Sequence, residues 1–120
     1  MNGQQMTIMV VDDNAGMRAV MKDTLSAIPC SIVECSTGAE AVERYNALRP
    51  DGVLMDVMME PMNGIAALLK IKESNPHAKI IVVSGSHEDS VGAASLKAGA
   101  FAFVKKESMA IIPELIQQET

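Results

Sequence analysis

Polar residues close four short apolar runs of this chain, and their types suit phosphate or metal chemistry. The run MTIMVV (6–11) stops at Asp12 and Asp13. GVLMD (52–56) ends in Asp56. KIIVVSG (79–85) carries Ser84 near its end, and AFAFVK (100–105) is followed by Lys106. Three carboxylates brought together repel, and each raises the pKa of the others. A hard divalent cation with oxygen ligands relieves that repulsion. Mg2+ suits the case, because it takes one or two carboxylates and keeps water for a substrate phosphate. A hydroxyl at Ser84 and an ammonium at Lys106, facing the acids, would complete a cradle for a phosphoryl group. Taken singly, each residue has a plainer role. Asp12-Asp13 can cap a helix before Asn14, Asp56 can cap a loop, and Ser84 can be a turn residue before Gly85. The specificity lies in all of them falling at run ends together.

Those ends must be brought to one place, and the rest of the chain says how. Helix-period segments alternate with the apolar runs. Asn14 caps a helix predicted to run to about residue 27, with Met17, Val20, Met21 and Leu25 on one face. SIVEC (31–35) reads as a short strand, and its Glu34 suggests an edge position. Thr37 caps a helix over 38–48, with Glu40 at the third position after the cap as in a capping box. Arg49-Pro50-Asp51-Gly52 is a turn. A loop punctuated by Pro61 and Gly64 leads to a helix over 64–74, ended by Asn75-Pro76. A weak helix follows over 89–97, and Gly99 terminates it. Pro113 suits the first turn of a last short helix.

Five strands alternating with helices predict a parallel sheet covered on both faces, and right-handed crossovers leave few topologies. The expected fold is α/β, a doubly wound five-stranded parallel sheet of order 2-1-3-4-5, flavodoxin-like. In such a sheet ligands sit beyond the carboxyl ends of the strands, where strand order reverses. The first and third strands straddle that point, so Asp12, Asp13 and Asp56 converge there. At 120 residues the chain is expected to form a single domain over 1–120.

Composition narrows the function further. Lys and Arg total 10 against 15 Asp and Glu, a net charge of −5. So acidic a surface argues against direct nucleic acid binding and against an anionic membrane. No apolar run reaches the length of a membrane span, and MNGQQM has no signal-peptide pattern, so the expected address is cytoplasmic. Cys30 and Cys35 lack metal-ligand spacing and read as reduced, pointing to opposite faces of a strand. Gly-x-Gly-x-x-Gly and the P-loop pattern are both absent, against dinucleotide and P-loop nucleotide binding. A flavin phosphate loop would be hydroxyl-rich after the first strand, where this chain has the acidic DDNAG. Phosphatases of the haloacid dehalogenase class need Asp-x-Asp there, and the acids here are adjacent.

With these residues in place, the chain resembles the receiver domain of two-component response regulators, across residues 6 to about 118. VVDDN, RPDGVLMDVMMEPMNG, IIVVSG and KAGAFAFVKK carry the resemblance. It implies a phosphoacceptor at Asp56, attacking a phosphohistidine or a small acyl phosphate. It implies Mg2+ held by Asp13, Asp56 and the backbone carbonyl of Met58, with Asp12 acting mainly through metal-bound water. Ser84 and Lys106 would bind the phosphoryl oxygens, and Ser84 and Phe103 would form the switch. The Gly-Ala-x-x-aromatic-x-x-Lys spacing selects Lys106 over Lys105. The implied protein is a signalling domain rather than an enzyme, with Mg2+-dependent self-phosphorylation and autodephosphorylation. Its partners would be a sensor histidine kinase or phosphotransfer protein, and a downstream protein target or a missing output domain.

Two departures stand out. The proline expected directly after Met59 is displaced to Pro61, and Glu107 rather than proline follows Lys106, which predicts a rerouted start to the last connection. The Ala/Gly/Ser-rich segment DSVGAASLK buries little and has poor helix propensity, marking an element easily shifted. Strand alternation would put Phe101 and Phe103 on one side beside it. The fourth helix, fifth strand and fifth helix are thus the expected partner surface. A binding module without phosphotransfer, its acids merely structural, is the competing class.

Overall fold

The computed structural model describes residues 6–57, 63–85 and 89–118. β1 (Met6–Val11), β3 (Gly52–Asp56) and β4 (Ile80–Ser84) form the middle of the sheet, because their unbroken apolar runs need cover on both faces. Every residue of β3 and β4 is buried. β2 (Cys30–Cys35) and β5 (Ala102–Lys105) take the edges, where Glu34 can reach water. All pairings are parallel and the strand order is 2-1-3-4-5. The expected doubly wound fold is the fold observed.

Alternation along the strands sorts the core into two layers. Ile8, Val10, Leu54, Ile81 and Val83 face Met21 and Leu25 of α1 (Ala15–Leu25) and Ile112 and Ile116 of α5 (Ile112–Gln117). Met9, Val11, Val53, Met55 and Val82 face Ala41 and Tyr45 of α2 (Gly38–Leu48) and Leu68 and Ile71 of α3 (Gly64–Ser74). Each fully buried aliphatic side chain contributes about 1.5–3 kcal/mol of burial, so Leu54→Ala should cost roughly 2–5 kcal/mol. Cys30 and Cys35 are free and fall in opposite layers, as the odd spacing predicts.

Asn14 and Thr37 cap their helices as the sequence names, and Asn63 adds a cap that the sequence reading did not name. Asn14 Oδ1 accepts from Met17 N (2.9 Å), Thr37 Oγ1 from Glu40 N (3.0 Å) and Asn63 Oδ1 from Ala66 N (2.8 Å). Glu40 reaches back to Ser36 N (2.8 Å) rather than to the cap residue. Gly99 follows α4 (Asp89–Lys97) at φ 110°, a conformation that disfavours any β-carbon.

Two expectations need correction. Val20 is exposed, so the inward stripe of α1 is narrower than its apolar pattern suggests. Phe101 and Phe103 do not share a side. β5 begins only at Ala102, so the alternation does not extend to Phe101, which joins the α1–α5 layer while Phe103 joins the other. The connection after β5 is a 3-10 helix (Lys106–Ile111), an element that the sequence pattern did not announce. Pro113 sits in the first turn of α5 as expected. The expected metal contact of Met58, and the displaced Pro61, lie outside the described residues.

Candidate functional site

Asp12 follows β1 directly, and its main chain is held there by Asp12 N donating to the carbonyl of Cys35 (3.1 Å). Its side chain is turned inward by the helix that Asn14 caps, because Asn14 N donates to Asp12 Oδ1 (2.9 Å). Asp12 is 1% exposed, and its Oδ2 is buried with no hydrogen-bond partner among the described residues. Asp13, next along, is exposed. Asp56 ends β3, hydrogen-bonded in the sheet beside both β1 and β4, and is buried.

Adjacency of β1 and β3 does the rest. One carboxylate oxygen from each of Asp12, Asp13 and Asp56 lies within 4.8 Å of the others. The three acids expected to converge are brought together. The chain leaving β3 is pressed close against the start of α3. Gly64 N donates to Val57 O (3.0 Å), and a β-carbon on Gly64 would lie 2.2 Å from Asp56 O and 2.7 Å from Val57 Cα. Both obstacles are backbone, so only glycine lets the start of α3 lie this close to the end of β3.

On the far side, Ser84 ends β4 and is fully buried. Lys106 follows β5 and is exposed, with its stem along the end of β4. Its Cδ lies 3.5 Å from where a β-carbon on Gly85 would sit. Phe103 is half-buried under α4, and its ring comes within 3.0 Å of the β-carbon position of Gly92. Only Gly92 and Ser95 of the described α4 side chains are buried, which matches the expected weak anchoring of that helix.

Electrostatics mark the site. Burial pushes Asp12 up to about 6, opposed by the Asn14 N–H. The Asp56 charge adds to the rise, Lys106 opposes it, and Asp13 adds a smaller push. The donor set is all carboxylate oxygen with no Cys or His, which suits a hard cation such as Mg2+ rather than zinc. A cation, directly or through its bound water, would satisfy the Asp12 Oδ2, which is buried and without a partner among the described residues.

Known proteins bear on this arrangement. A family model described as the response regulator receiver domain matches residues 8–117. The chain belongs to the response regulator receiver domain family. It is 41% identical over 100 residues to the chemotaxis protein CheY of Thermotoga maritima, covering 82% of this chain and 83% of that one. The CheY of Bacillus subtilis gives the same identity over the same shares. The crystal structure of the response regulator domain of Thermotoga maritima CheB matches at TM-score 0.81 and 33% identity, over 95% of this chain and 92% of that one. As a receiver of this kind, the chain is a phosphoacceptor signalling domain of two-component systems.

Two residues of the receiver escaped the sequence reading. Arg18 Nη1 donates to the backbone carbonyl of Asp12 (2.7 Å), and its Nε to Glu34 Oε1 (3.0 Å). A signal existed: residues 18, 21 and 25 fall on one helical stripe, so a charge sits on the inward face. The other is Lys79, buried just before β4 at the opposite end of the sheet. Its position at the head of an apolar run concealed it.

Proposed function

We propose that this receiver, a single domain over residues 1–120, takes its phosphoryl group on Asp56 from a sensor histidine kinase or phosphotransfer protein. An Asp56 carboxylate oxygen attacks phosphorus, the P–N bond to the donor imidazole breaks, and the imidazole keeps the electron pair. Asp12, Asp13, Asp56 and the carbonyl of Met58 would hold Mg2+, Asp12 mainly through water. When bound, the ion supplies charge neutralisation for the phosphoryl oxygens. Lys106 and the Ser84 hydroxyl bind those oxygens from the other side. Positioning and charge carry such a transfer, and the protein does little covalent chemistry beyond its nucleophile. Small acyl phosphates serve as alternative donors, and water resets the site by attacking the phosphorus of the aspartyl phosphate, which releases inorganic phosphate and restores the Asp56 carboxylate.

The observation that carries this reading is the buried, unpartnered Asp12 Oδ2 within a trio of carboxylates whose oxygens lie within 4.8 Å. A structural acid would have found a donor. Output would pass through the face formed by α4, β5 and α5, with Ser84 and Phe103 as the switch, to a downstream protein target or an output domain. α4 suits that role because it is anchored by two small residues. No helix among the described residues is long and apolar enough to cross a membrane, and we assign the receiver to the cytoplasm.

Intact mass after incubation with acetyl phosphate tests the reading. Wild type should gain one phosphoryl group with Mg2+ and none with EDTA. Asp56→Asn should gain none under either condition. Stable phosphate on that variant would place the acceptor elsewhere. A wild type that never gains mass would favour a binding module with structural acids.

A further inference from the structure

The Mg2+ site proposed above has a feature that none of its own ligands explains. Asp12 carries the orphaned oxygen, yet the residue is tied at three points, two on its main chain and one on its side chain. Its N–H donates to Cys35, its Oδ1 accepts from Asn14, and its carbonyl accepts from Arg18. The first two come from residues flanking the end of β1. The third comes from a guanidinium on α1 that also grips β2.

Arg18 is well placed to be rigid. Its side chain is 17% exposed, and Glu34 accepts from both Arg18 Nε (3.0 Å) and Lys22 Nζ (2.9 Å). These two bonds, Lys22 first, hold the Glu34 carboxyl below its usual range. The planar fork of arginine holds a carboxylate and a carbonyl in fixed directions from separate nitrogens, whereas a lysine offers its donors from one rotatable ammonium without that fixed geometry. Exposed ion pairs add little to stability, so stability is a weak reason for building this one. Its geometric effect falls on the peptide that joins Asp12 to Asp13.

We infer that Arg18 is a positioning residue of the metal site: anchored by Glu34, it fixes the Asp12 carbonyl and so aims the Asp12–Asp13 carboxylates at the cation. The inference rests on the Mg2+ reading given above. It makes a prediction of unusual sign. Arg18 is itself a cation, so removing it lowers the positive charge near the site, and Coulomb's law alone would tighten Mg2+ binding. Loss of positioning weakens it.

Calorimetric titration with Mg2+ decides between these, using wild type, Arg18→Met and Arg18→Lys, each also melted in EDTA. Arg18→Met keeps the packed stem and should bind Mg2+ about tenfold more weakly, the scale of an outer-shell loss. Its melting in EDTA should change little, which separates positioning from a general loss of fold. Arg18→Lys keeps the charge without the fork and should fall between the two. Unchanged or tighter binding in Arg18→Met, with wild type binding normally, overturns the role of Arg18 and leaves the metal reading intact. Wild type that takes up no Mg2+ overturns the metal reading and this inference with it. Should Arg18→Met fail to fold, Arg18→Lys decides, and full wild-type affinity there overturns the two-point anchor.

Discussion

The two ends of the sheet treat buried charge in opposite ways. At the carboxyl end, Asp12 is buried with one oxygen unpartnered, and two further carboxylates crowd it. At the amino end, Lys79 is also buried but fully employed. Its amine donates to the carbonyl of Ile116 (2.9 Å) and to that of Gln118, and lies 4.5 Å from the centroid of the Phe101 ring. Burial lowers the pKa of that amine. Nearby, Asp51 and Thr7 exchange bonds between turn and strand: Asp51 N to Thr7 O and Thr7 N to Asp51 Oδ2, both 2.7 Å. Asn75 Nδ2 likewise donates to Asn46 Oδ1 (2.9 Å) and Ile71 O (3.2 Å).

The contrast separates function from architecture. A satisfied buried cation closes the end of α5, whose last carbonyls lack intrahelical donors. An unsatisfied buried anion does nothing for the fold and waits for a ligand. Local rules are broken at functional sites and obeyed elsewhere.

Mutation at either end should therefore move different observables. The largest effect belongs to Asp13→Ala, which removes a proposed direct ligand. Mg2+ affinity should fall by more than about a hundredfold, beyond the range of outer-shell losses. Melting in EDTA should not fall, because a repelling charge has gone. A lower melting temperature than wild type in EDTA would show that repulsion is not the governing force at this end.

Lys79→Met probes the other end. Two carbonyls lose their shared donor while the apolar stem is largely kept, so unfolding in urea should show a loss of about 1–3 kcal/mol. Mg2+ affinity should stay at the wild-type value. A change in that affinity would mean the two ends are coupled and the contrast is false.

The smallest effect is on pH dependence. In the metal-free fold Asp12 titrates at about 6, against 3.8 as its ordinary value. Between those values the native state holds the extra proton, so its contribution to stability is complete below the lower value. That contribution is lost as pH rises through about 6. In EDTA the chain should melt higher near pH 5 than near pH 7 by roughly a few degrees, and Asp12→Asn should flatten the difference. A wild-type slope that Asp12→Asn leaves untouched would show that burial of this carboxyl is not its source.

How much of this could be read from the chain follows from how far apart the interacting residues lie. The strand ends Asp12, Asp13, Asp56 and Ser84 were legible, because each closes an apolar run within its own few residues. Lys106 was legible from its spacing to Gly99 and Phe103. Glu34 was legible as an edge residue, though not as the anchor of Arg18, since that pairing spans the β1–β2 crossover. Val20 shows the limit of periodicity: an apolar residue near the inward stripe can still face water where the facing element does not reach.

What the sequence determined by itself, then, was the alternation of elements, the caps at Asn14 and Thr37, and the kind of group standing at each strand end. These rest on hydrogen bonds and side-chain periods local to a turn or a strand. Only the tertiary structure decided that three carboxylates meet within 4.8 Å, that Asp12 Oδ2 goes without a partner, and that Phe101 and Phe103 lie in opposite layers. It also decided that Arg18 reaches the Asp12 carbonyl and Lys79 the end of α5. Those outcomes depend on strand order and on where β5 begins. Both are set by burying two apolar layers at once, a requirement that no single segment carries.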